Sequence, residues 1–171
     1  ALEGVSNIVF RKASEDEETS KSHSEIFDGK GVTIGHHEHS LSNNNAEIVI
    51  FVDKFQKLHD DILSEDPDPE FADWYTKTEI LNTVAHELGH ALHHTLPVSI
   101  LHEWDEVAHG ENVAVTDYVS EMKQHDHQHR YMEDFADSFK LYVNKPDKLQ
   151  SVAGQRYETM RAIVTKLKPA A

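Results

Sequence analysis

Two histidines four residues apart, with a glutamate beside the first, stand out as residues able to do chemistry: His86-Glu87-Leu88-Gly89-His90. On a helix, positions i and i+4 lie on one face, so both imidazoles can reach a single metal ion. Glu87, one residue round from His86, can reach the water that such a metal activates without itself becoming a ligand. A catalytic zinc takes three protein ligands and keeps one position open. With 14 histidines in 171 residues, about 0.1 chance occurrences of this pattern are expected, so its surroundings matter. Thr76 and Glu79 fit a capping box with Thr76 as N-cap, which predicts a helix running to about His94, with Pro97 just beyond. Ile80, Val84, Leu88, Ala91 and Leu92 give it an apolar stripe at helical spacing.

A third ligand must come from elsewhere. The pattern with Gly three residues after the second His and a further His three residues later fails at His93 and Leu96, and no Gly-Thr-x-Asp segment follows. Glu133 opens a predicted helix reading Glu133-Asp134-Phe135-Ala136-Asp137-Ser138-Phe139. Glu133 and Asp137 are four apart and share a face. Glu133 can complete a zinc site, and Asp137 can accept a hydrogen bond from the outer nitrogen of a ligating His. The competing reading makes both solvated charges on an amphipathic helix.

HELGHAL followed some forty residues later by EDFADSF resembles the glutamate-ligand zinc peptidases, the gluzincins, and in particular the lethal factor and Pro-Pro endopeptidase group with related small bacterial zinc peptidases. The match runs over roughly residues 76 to 165, at Glu133, Phe135, Ala136, Asp137 and Phe139 of the later helix. It implies a zincin-like fold, bound Zn2+, a peptide or protein substrate, Glu87 as general base, and a secreted or bacterial cell-surface setting. Members also place a Tyr before the ligating Glu to stabilise the developing oxyanion; Tyr118 in Thr116-Asp117-Tyr118-Val119-Ser120 looks like that residue. It stands fifteen residues before Glu133, about twice the family spacing. Residues 121 to 130 then read as an inserted exposed loop, and His125, His127 and Tyr131 are its substitutes.

The elements that must position these residues read as α+β in one domain, 1–171, with residues 1–53 mainly strands and 54–171 mainly helices. Val5 to Phe10 and Ala46 to Val52 are strand-like, the latter rich in β-branched residues and able to offer an edge to an extended peptide. His36 to Asn45 reads as a loop, whose His36, His37, Glu38 and His39 could hold a second metal but are more simply polar surface. Lys54 to Leu63 is a short helix broken by Ser64 to Pro69, Leu101 to Ala108 another, Gly110 to Ser120 irregular, Met132 to Val143 the glutamate-bearing helix, and Pro146 to about Leu167 one final helix. Trp74 and Trp104 read as core aromatics. The acidic run from Asp60 to Glu70 lacks the spacing of a calcium loop.

Composition removes other functions. A net charge of −15 disfavours phosphate backbones and anionic membranes, so neither nucleic acid nor a membrane surface is expected as a partner. No apolar stretch is long enough to span a bilayer, and no signal peptide is legible. Without cysteine there is no disulfide, thiolate ligand or thiol nucleophile. Two other functions compete with the enzyme: an inactive zinc-binding or surface interaction module, and a histidine-rich metal buffer in which the motif is incidental. Glu87 argues against the first, because it serves catalysis more than folding.

Overall fold

A three-stranded sheet forms because one short apolar segment is paired on both sides. The computed structural model describes residues 5–12, 35–40, 45–121 and 127–167. Strands β1 (Val5–Arg11), β2 (Gly35–Ser40) and β3 (Asn45–Phe51) lie in the order β1-β3-β2, with β1 parallel and β2 antiparallel to β3. Successive strand residues face opposite sides, and Ile48, Val49 and Ile50 are all fully buried, so β3 is covered on both faces. Its central place corrects the expectation that Ala46 to Val52 offers an edge, since both of its backbone ladders are taken. His36 to Ser40 are strand, not loop: His36 pairs with Val49 and His37 with Ile48. Backbone pairing to an apolar neighbour overrides the weak strand preference of those residues.

Helix α1 (Val52–Glu65) follows β3 directly and buries Phe55. Helix α2 (Pro69–Thr95) begins well before Thr76. The Asp68 carboxylate accepts from the Glu70 and Phe71 backbone N–H groups at 2.9 and 3.3 Å. Pro69 sits at the start, where its missing N–H costs nothing. Asp68, not Thr76, is therefore the cap. Trp74 is 61% exposed on this helix and is not a core residue. Residues Val5–Glu87 form one compact unit and the chain from Leu88 onward a second. The division falls inside α2, which is itself continuous.

In the second unit, α3 (Val98–Glu111) ends on Asn112, which takes the left-handed conformation (φ 47°) common at helix C-termini. Then come α4 (Asp117–Glu121), α5 (His127–Asn144), α6 (Pro146–Val152) and α7 (Gly154–Leu167). Trp104 is buried as expected, with Leu92, Phe135, Phe139, Met160 and Ile163; its ring centroid lies 4.9 Å from that of Phe135. A second cluster joins Val115, Val119, Leu141 and Leu149.

Three expectations are corrected here. Residues 127–130 belong to α5, because Gln128 and Arg130 favour helix and neither Gly nor Pro interrupts the run. The segment 110–120 contains the start of α4, capped by Thr116, whose Oγ1 accepts from the Val119 N–H at 3.3 Å. The final helix is broken at Ala153 into α6 and α7. Glu111 of α3 decides that break by capping α7, accepting from the N–H groups of Gln155 at 2.7 Å and Arg156 at 3.4 Å. The architecture is mainly helical with a small N-terminal sheet, more helix-dominated than an even α+β balance. No helix among the described residues is long and apolar enough to cross a membrane.

Candidate metal centre

The last turns of α2 and the middle of α5 approach so closely because Gly89 has no side chain. A Cβ at Gly89 would stand 2.7 Å from the Cα and 3.0 Å from the carbonyl oxygen of Ala136. Glycine inside a helix costs about 1 kcal/mol relative to alanine, so the residue has a packing reason to be there. Ala136 is the small residue on the facing helix, and Leu92, Phe135 and Phe139 close the apolar packing around the contact.

That approach sets the ligand geometry. His86, His90 and Glu133 each offer a donor atom, and these atoms lie within 4.8 Å of one another. His90 Nε2 and Glu133 Oε1 are 3.4 Å apart. Donors about 2.0–2.2 Å from a tetrahedral zinc stand about 3.3–3.6 Å from each other, so the His90–Glu133 pair is spaced as two ligands of one ion. All three are buried, at 3%, 5% and 1% exposure, and Glu87 is fully buried beside them. Carboxylates and imidazoles so placed are costly unless a counter-charge or hydrogen bonds compensate them. A divalent cation would supply that compensation. Two imidazoles and one carboxylate form a donor set suited to zinc and leave a fourth position open.

Asp137 is buried one helical turn after Glu133. Its Oδ2 accepts a hydrogen bond from the Thr116 hydroxyl, and Lys140 Nζ lies 2.5 Å from its Oδ1. Thr116 thus binds α4 to α5 while capping α4. Tyr118, two residues on, is partly buried against the second apolar cluster. His125 and the His127 side chain lie outside the described residues. Tyr131 hydrogen-bonds Asp105 and approaches His109 Nδ1 at 3.4 Å; burial, then Asp105, push its hydroxyl up to about 12. It sits among groups that hold it protonated.

His93, one turn after His90, packs edge-on to Phe135 with centroids 5.2 Å apart. Burial, then the neighbouring His94 and His90, lower its pKa to about 4 and keep the ring neutral. Asp134 faces away from the ligands toward Arg156, which is 1% exposed. Arg156 Nη1 donates to Asp134 Oδ1 at 2.5 Å, Nε to Glu111 Oε2 at 2.8 Å and Nη2 to the Val113 carbonyl at 2.7 Å. Burial raises the Asp134 carboxyl to about 6, with Arg156 pulling the other way.

No known family, characterised protein or solved structure matches this chain.

Sequence reasoning singled out His86, Glu87, His90, Glu133 and Asp137, all of which are buried. It missed three positioning residues. Gly89 had a signal, an unexplained glycine inside a helix. Thr116 had a weak one, a Ser/Thr-type cap before a short helix. Arg156 had none, since its partners Glu111 and Asp134 are distant in sequence.

Proposed function

We propose that this chain is a gluzincin-type zinc peptidase with a single zincin-like domain, hydrolysing peptide bonds in a peptide or protein substrate. One observation carries the reading: His86, His90 and Glu133 bring three buried donors within 4.8 Å, next to a fully buried glutamate that is one residue round the helix from His86. A metal-storage role needs no such glutamate, and an exposed accidental motif would not be buried.

His86, His90 and Glu133 would hold the ion. Bound there, zinc supplies Lewis acidity, making a water more acidic and polarising the scissile carbonyl. Glu87 takes the proton of the attacking water and delivers it to the leaving amine, forming one N–H bond as the C–N bond breaks. Tyr118 donates to the oxygen on which negative charge develops, with α4 fixed by the Thr116–Asp137 hydrogen bond. Asp137, already oriented by Thr116 and Lys140, steers a ligand imidazole. The resemblance of the motifs also favours a secreted or cell-surface setting.

Zinc content by mass spectrometry, for the wild type and for Glu133→Ala after the same mild chelator wash, tests the site. One zinc per chain in the wild type and none in the variant is expected, with turnover of a peptide library by the wild type alone. Equal retention would remove Glu133 from the ligand set. A tightly zinc-loaded wild type that cleaves no library peptide would reject the peptidase.

A further inference from the structure

The N-terminal half of α2, within the unit Val5–Glu87, carries an apolar face that stays largely open to solvent. Phe71, Trp74, Tyr75 and Leu81 recur at helical spacing and are between 37% and 63% exposed. The Phe71 ring centroid lies 6.0 Å from that of Trp74 and 6.1 Å from that of Tyr75, so the three rings form one surface. Leu81 follows Trp74 by two turns on the same side. Between them the Thr78 hydroxyl turns back onto the helix and donates to the Trp74 carbonyl at 2.8 Å. Ala72 and Thr83, on the opposite side of α2, are buried. The helix is therefore seated by its other face, and the aromatic face is left over.

At about 200 Å2 for a fully exposed large side chain, the four residues present roughly 400 Å2 of surface. A patch of that size on a monomer is often functional. It is only about half of the roughly 800 Å2 that each partner brings to a stable protein–protein interface, which suits a single segment better than a whole subunit.

Charge decides the occupant. Residues 60–73 hold seven Asp and Glu and no Lys or Arg. Glu65, Asp66 and Glu70 are exposed and make no ion pair among the described residues. Glu70 precedes Trp74 by one turn and stands at the rim of the aromatic face. Lys77, the only Lys or Arg from Pro69 to Glu87, lies 3.5 Å from Asp73 Oδ2. A second copy would set these acids against themselves in a chain of net charge −15, and an anionic membrane is repelled for the same reason.

We propose that this face docks a cationic amphipathic segment of another protein, its apolar side chains on Trp74 and the neighbouring rings, its Lys and Arg toward Glu70 and the acidic turn before α2. Tryptophan and tyrosine anchor interfaces because they give large contact area at small cost in side-chain entropy. An ammonium or guanidinium also gains from lying over an aromatic ring. The surrounding acids draw such a partner in and turn anionic competitors away. The face uses none of the metal ligands, and the proposal stands whether or not the chain is a peptidase.

The probe is a fluorescent peptide of about fourteen residues, with Leu along one helical face and Lys on the other. It is titrated by anisotropy into the wild type, Trp74→Ala and Glu70→Gln. The wild type is expected to bind with a Kd of about 10 μM or lower. Trp74→Ala leaves every charge in place and should weaken binding at least about tenfold, as should serine for leucine in the probe. Glu70→Gln should weaken it about threefold at low salt and less at high salt. Equal binding by the wild type and Trp74→Ala would reveal attraction by net charge alone and overturn the site, as would no binding by the folded wild type. A wild-type dimer in light scattering that Trp74→Ala dissolves would give the face to a second copy. Sedimentation with phosphatidylcholine vesicles that Trp74→Ala abolishes would give it to a lipid surface. Either result overturns the cationic partner.

Discussion

Gly89 and Ala136 stand so close that no side chain fits between them: a Cβ on Gly89 would lie 2.7 Å from Ala136 Cα. This contact sets the distance between the helix bearing His86 and His90 and the helix bearing Glu133. Gly89→Ala gains helix propensity worth about 1 kcal/mol. It also drives a methyl into backbone that cannot rotate away, a cost of about 1–3 kcal/mol. The clash should prevail, lowering both the melting temperature and the affinity for zinc. A variant more stable than wild type with unchanged zinc affinity would show that the helices are not in contact there.

Glu87→Gln keeps the shape of the side chain and removes its basicity. Zinc content should match the wild type, while peptide hydrolysis falls about 10²–10⁴-fold, the usual contribution of a general base. Full activity in this variant would remove Glu87 from the mechanism.

Thr116 caps α4 and donates to Asp137. Thr116→Val preserves volume but loses both hydrogen bonds, and should cost about 1–3 kcal/mol of stability by denaturant titration. If Asp137 steers a ligand imidazole, Asp137→Asn should also weaken zinc about 10–100-fold. Zinc affinity untouched in Asp137→Asn would leave Asp137 a purely structural anchor.

His93 makes stability pH-dependent. Its folded value of about 4 lies below the ordinary 6.5. Above pH 6.5 neither folded nor unfolded chain carries the proton. Between about 6.5 and 4 the unfolded chain takes it up and the folded chain does not, so stability falls as pH falls through that window. Metal-free wild type and His93→Gln compared by thermal melts should diverge there, the variant losing less. Parallel curves would mean that the ring titrates normally in the folded state.

Arg156 is ion-paired with both Glu111 and Asp134 where all three are largely withdrawn from water. Arg156→Met removes the guanidinium that bridges Glu111 and Asp134 and the side-chain anchor of the Glu111 cap, so a loss of about 3–5 kcal/mol is expected in urea unfolding. Lysine should not rescue it, because one ammonium cannot reproduce the three-way geometry of the guanidinium. Near-wild-type stability in either variant would refute the network.

The sequence by itself determined the chemistry-bearing pair. His86 and His90 meet because four residues make one helical turn, a local rule independent of the rest of the chain, and Glu87 follows from the same spacing. Helices α1, α2, α3 and α5 were legible because apolar residues recur there at helical period, and so was β3, dense in β-branched residues; α4 was read as irregular chain, and α6 and α7 as one helix. Tertiary structure decided what depends on partners far apart in sequence. β3 is central because β1 and β2 both bind it, although its composition suits an edge equally well. His36 to Ser40 are strand because an apolar neighbour takes up their backbone hydrogen bonds. The helix with the histidines starts at Pro69 because Asp68 caps it, and the last helix breaks because Glu111, more than forty residues earlier, caps the piece after it. That Glu133 stands beside His90 depends on α2 and α5 touching at Gly89 and Ala136. Spacing along a chain fixes only what lies within a turn or two. Long-range approach is set by which surfaces exclude water together, and that is a property of the folded molecule.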